Sequence, residues 1–68
     1  MVYKSIAYQS IDGKVNDIRT YDSTFIRFTI PRIGETVRYD LGENVKDYKV
    51  QDVIYDVSHK CIFVRLES

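Results

Sequence analysis

Three arginines and two aromatic residues offer the clearest chemistry in this chain. Arg27, Arg32 and Arg38 lie close together in sequence, with Phe25 before them and Tyr39 after. A planar guanidinium grips phosphate or carboxylate oxygens with a two-pronged fork, and an aromatic ring offers its face to a flat base. Together they are the components of a binding site for a small anionic ligand of nucleotide type. The plainer account pairs Arg27 with Asp40 across two strands and sends Tyr39 into the core.

Other combinations are weaker. His59 and Cys61 are two residues apart, but a Cys-His nucleophile needs a third group to orient the imidazole, and the sequence points to none. Asp12, Asp17 and Asp22 recur every five residues. They lack the calcium-loop pattern and read more simply as turn residues that bond nearby backbone amides. Asp52 and Asp56, four apart on one strand, would sit about 13 Å from each other, too far to act on one bond. Gly13, Gly34 and Gly42 are isolated, so no phosphate-binding loop is present. A non-enzymatic protein without cofactor or metal is expected.

These side chains must be positioned by strands. Eight Val, eight Ile and four Thr, with six Tyr and three Phe, stand against one Ala and two Leu. β-Branched and aromatic residues suit a pleated, half-buried surface and lose rotamer freedom in a helix. The chain has 68 residues and no net charge. That is one small domain, residues 1–68, without the cationic surplus on which duplex nucleic acid or anionic membrane binding depends. A single cysteine excludes an internal disulfide and suits a cytoplasmic protein, and no apolar run reaches membrane length.

Val2 to Ile11 reads as a strand and Asp12-Gly13 as a tight turn; Lys14 to Tyr21 is then either the return of a hairpin or, because Asn16-Asp17 interrupts its alternation, a loop covering the barrel. Ile26, Phe28 and Ile30 share one strand face. Val37, Tyr39 and Leu41 share another, and pairing the two sets Arg27 against Asp40. A polar loop opens at Gly42 and runs to about Asp47. Tyr48 to Val57 changes phase midway, which a bulge near Gln51-Asp52 would reconcile. A turn at Ser58–Cys61 returns the chain through Ile62, Val64 and Leu66. Setting Val57 against Ile62 leaves Ile54, Phe63 and Cys61 outward, with Phe63 beside Asp56 and Ile54 beside Arg65. Such an apolar surface on so small a chain suits a homo-oligomer or a protein partner.

The run Ile30-Pro31-Arg32-Ile33-Gly34-Glu35-Thr36-Val37, then Tyr48-Lys49-Val50, Val53-Ile54-Tyr55-Asp56 and Ile62-Phe63-Val64-Arg65-Leu66, resembles a small SH3-like barrel over about residues 24–67. There a P-x-x-G-E-x-V segment leads into a strand, and a bulged strand and hairpin complete the barrel. The resemblance implies an all-β, five-stranded antiparallel barrel of phage or mobile-element type. By analogy it suggests a stoichiometric sponge that hides a host's nucleotide signal. The alternatives are a module that grips a host protein and a phage assembly component. RNA binding is disfavoured by the neutral charge.

Overall fold

The computed structural model describes residues 3–20 and 30–68. Five strands form one curled sheet: β1 (Ser5–Ser10), β2 (Asn16–Thr20), β3 (Thr36–Asp40), β4 (Val45–Asp56) and β5 (Cys61–Glu67). Their spatial order is β2-β1-β5-β4-β3. The all-β expectation holds, but the sheet is mixed. β1 runs parallel to β5, with Ile6 opposite Ile62 and Tyr8 opposite Val64, whereas the other pairs are antiparallel. The antiparallel barrel is corrected on this point. A turn marks a hairpin in sequence, whereas parallel neighbours need a long connection that carries no such mark. Among the described residues there is no helix long and apolar enough to cross a membrane.

The β1–β2 hairpin closes where Asp12-Gly13 places it. Gly13 has φ +79°, and an added Cβ there would meet nothing within 4 Å, so the requirement is conformational rather than spatial. The bulge falls between Val50 and Asp52, as the phase change requires. It keeps Tyr48 and Val50 inward on one parity and Val53 inward on the other.

Two registers differ from the sequence reading. Asp40 pairs with Val45 across a short turn, in which the Leu41 amide donates to the Asn44 carbonyl at 2.9 Å. β4 therefore begins at Val45, and no polar loop extends to Asp47. At the other end Asp56 pairs with Cys61, Tyr55 with Ile62 and Ile54 with Phe63. The turn is Val57–Lys60, one residue earlier than expected, with Lys60 in the left-handed region at φ 56°. This shift moves partners by two, so each side chain keeps its face while its neighbour changes. Val57 leaves the core side for solvent, and Phe63 faces Ile54 instead of Asp56. The expected strand through Ile26 and Phe28, and its Arg27–Asp40 pairing, lie outside the described residues.

Ile6, Val15, Tyr48, Val50, Ile62, Val64 and Leu66 form the buried core. Tyr8, Val37, Tyr39 and Leu41 pack against it from the two flanks. The core thus sits in the concavity of the curled sheet, with β2 and β3 as its two rims.

Candidate functional site

Side chains join the rims where the described residues show no ladder. Pleat parity brings Tyr8, Asp17 and Arg19 of the β1–β2 hairpin to the concave face, and Val37 and Tyr39 of β3 meet them there. The Tyr39 hydroxyl donates to Asp17 Oδ2 at 2.8 Å. Its ring meets Tyr8 edge to face, with centroids 6.1 Å apart and planes at 65°. Burial, then the Asp17 carboxylate, pushes the Tyr39 phenol well above its ordinary value, so it stays a neutral donor. Partial burial pushes the Asp17 carboxyl up, but the hydrogen bonds from Tyr39 and Arg19 outweigh it and hold the group below its usual range.

An open cleft of about 460 Å³ lies at this junction, lined by Tyr8, Arg19, Val37, Arg38, Tyr39 and Asp40. Arg19 Nε reaches Asp17 Oδ2 at 2.9 Å. Arg38 forks onto Asp47, with Nε to Oδ1 at 2.7 Å and Nη2 to Oδ2 at 3.2 Å. Both arginine side chains stay largely exposed, at 65% and 70%. Exposed pairs of this kind are weak and screened by water, so an incoming phosphate can compete with them. The arrangement can hold a flat ring against tyrosine and an anion against guanidinium.

Of the residues singled out in sequence, Arg38 and Tyr39 line this cleft. Arg27 and Phe25 lie outside the described residues. Arg32 is placed elsewhere, in a second groove of about 520 Å³ with Ile30, Pro31, Ile33, Val53 and Tyr55. There the Arg32 amide donates to Glu35 Oε1 at 2.6 Å, which secures the loop leading into β3. Tyr8 and Arg19 were missed. The Asp12-Gly13 hairpin could have found them, because its register opposes Tyr8 to Asp17 and Ile6 to Arg19.

Asp12 proves to be a second tie, joining the β1–β2 turn to β4. Its carboxylate accepts from Ser10 Oγ (2.6 Å), the Lys14 amide (3.0 Å), Lys46 Nζ (2.7 Å) and the Tyr48 hydroxyl (3.0 Å to Oδ2). The bond to Lys14 is the side-chain-to-backbone turn expected of this residue. At the β4–β5 turn, His59 Nδ1 lies 3.0 Å from Asp56 Oδ2, so the imidazole has an orienting group after all. Cys61 is half-buried on β5, directly opposite Asp56 in register.

No family model matches the chain, and no curated protein or solved structure is significantly similar to it. The residues themselves must carry the functional reading.

Proposed function

We propose that this chain is a non-enzymatic binding protein that holds a small anionic ligand with a flat ring, a nucleotide being the fitting class. One observation carries the reading. Two tyrosine rings and the Arg19 guanidinium, supplied by three strands, meet at one cleft that Arg38 also borders. Its size falls within the roughly 300–1,000 Å³ of small-molecule sites. Ring against Tyr8 or Tyr39 and phosphate against Arg19 is the pose this chemistry favours. Stoichiometric sequestration of a nucleotide signal in the cytoplasm, as a phage anti-defence sponge would perform it, is the biological role we attach to that pose. The β3–β4–β5 meander with its bulge supports an SH3-like relationship for residues 36–67, and the parallel β1 strand departs from it.

A thermal-shift panel of linear and cyclic nucleotides tests the proposal. Stabilisation by at least one of them, lost in the double variant R19A/R38A, is expected. No stabilisation at millimolar ligand would overturn it. A host-protein interaction module is the second reading, favoured by the apolar groove of Ile30, Ile33, Val53 and Tyr55 around Arg32. Recovery of one stoichiometric protein from bacterial lysate, reduced by Ile33→Asp, would favour that reading instead.

A further inference from the structure

The cleft between Tyr8 and Tyr39 holds more carboxylate than guanidinium. Among the described residues its cations are Arg19 and Arg38, and Asp40 lines it beside them. Each arginine also brings a carboxylate of its own, Asp17 for Arg19 and Asp47 for Arg38. Two positive groups thus stand against three negative ones. The phenols change nothing in this balance, because burial pushes both Tyr8 and Tyr39 above their ordinary values and keeps them neutral.

The two arginines are spent unequally. Arg38 gives Nε and Nη2 to the two oxygens of Asp47, a two-pronged pair. Asp17 holds Arg19 through Nε, on the same Oδ2 that accepts from the Tyr39 hydroxyl. The outer Nη1–Nη2 edge of Arg19 is therefore the fork that Asp17 leaves for a phosphate. Asp40 is fixed at the β3 margin of the cleft, where its Oδ1 accepts from the Gly42 amide at 2.9 Å.

We propose that the ligand of this cleft carries a single phosphoryl group, and that Asp40 is the specificity-determining residue that rejects longer phosphate chains. The inference rests on the nucleotide reading given above and narrows it. One phosphate satisfies the outer edge of Arg19. Every further phosphoryl group adds negative charge that no cation of the described lining is left to receive, and the fixed carboxylate of Asp40 opposes it. Selection then comes from repulsion as much as from attraction. A cleft with two unpaired arginines and no carboxylate would rank the ligands in the opposite order, polyphosphate first.

The test is calorimetric titration of the intact chain with adenosine 5′-monophosphate and, separately, adenosine 5′-triphosphate, at low ionic strength and without divalent cations. The monophosphate is expected to bind more tightly. One unit charge about 6 Å from another in water changes an affinity about threefold. Asp40→Asn should therefore narrow the gap by about that factor, with the triphosphate gaining more than the monophosphate. Asparagine keeps the Oδ1 acceptor for the Gly42 amide, so the turn after β3 is preserved. A triphosphate that binds as tightly as the monophosphate, or a ratio unchanged in Asp40→Asn, would overturn the inference and leave the nucleotide reading standing. Binding of neither nucleotide would overturn both. Should Asp40→Asn lose its β-sheet circular dichroism, the wild-type ratio at rising salt gives the answer. Screening weakens the repulsion, so the gap is expected to close. A gap that stays constant or widens would contradict the assignment.

Discussion

Asp12 lies in the β1–β2 turn and Asp17 near the start of β2, and each reaches across the concave face to a tyrosine of the β3–β4 hairpin. Asp12 takes Tyr48 of β4, and Asp17 takes Tyr39 of β3. Their surroundings then diverge. Asp12 is saturated by Ser10, the Lys14 amide and Lys46, and the lysine and carboxylate side chains shield each other, at 29% and 23% exposure. Asp17 has an exposed arginine as its cation, and that arginine borders the cleft. The same aspartate–tyrosine tie thus closes the sheet at the turn. Along β2 it closes the sheet and leaves a guanidinium beside an opening. A tie that uses up its charges is architecture, whereas one that leaves a cation at the surface can also recognise an anion.

The largest effect should come from the core on which both ties rest. Leu66 is fully buried, and Leu66→Ala should cost about 2–5 kcal/mol, a large share of the stability of so small a domain. Urea unfolding with an unchanged slope measures it. Loss of only a few tenths of a kcal/mol would mean that the concave face is not the core.

Acid separates the two ties next. The ammonium of Lys46, with the donors from Ser10, Lys14 and Tyr48, holds the Asp12 carboxyl well below its ordinary value of 3.8. A folded value below the unfolded one means that its contribution is complete above about pH 4 and fades as pH falls toward the folded value. Wild-type stability should therefore drop between about pH 5 and 2 more steeply than that of Asp12→Asn, the two curves converging at the acid end. Parallel curves would remove Asp12 from the account of acid stability. Ligand affinity at neutral pH should be unaffected by this change.

The smallest effect is at the cleft-side tie. Tyr39→Phe keeps the ring against Tyr8 and removes one hydroxyl donor from Asp17, which retains Arg19. A loss of about 1 kcal/mol is expected, measured by chemical denaturation.

The uneven legibility of the chain follows from what each signal encodes. Alternation and turn residues reveal faces and hairpins, so Gly13, the Gln51-Asp52 bulge and the inward set Ile62, Val64 and Leu66 could be read directly. Alternation is blind to a shift of two residues, which is why Ile54 and Phe63 were assigned the right face and the wrong neighbours. Parallel pairing of β1 with β5 carries no local mark, and the meeting of Tyr8 and Arg19 with Tyr39 depends on the curl that this pairing helps to set. Arg38 and Tyr39 stood out in sequence because residue type alone suggests their chemistry. Their partners in the cleft were hidden because proximity across a curled sheet is not a property of spacing.

The central claim is that the cleft beside Asp17, rather than the seam at Asp12, takes an anionic ring-bearing ligand. Amide chemical shifts of the labelled chain, followed while adenosine 5′-monophosphate is added and then inorganic phosphate in a separate titration, test it most directly. The account predicts saturable shifts centred on Tyr8, Arg19, Arg38 and Tyr39, larger with the nucleotide than with phosphate alone, and little change at Asp12, Lys46 or Ile54. An absence of shifts at millimolar nucleotide, or shifts centred on Asp12 and Lys46, would contradict it.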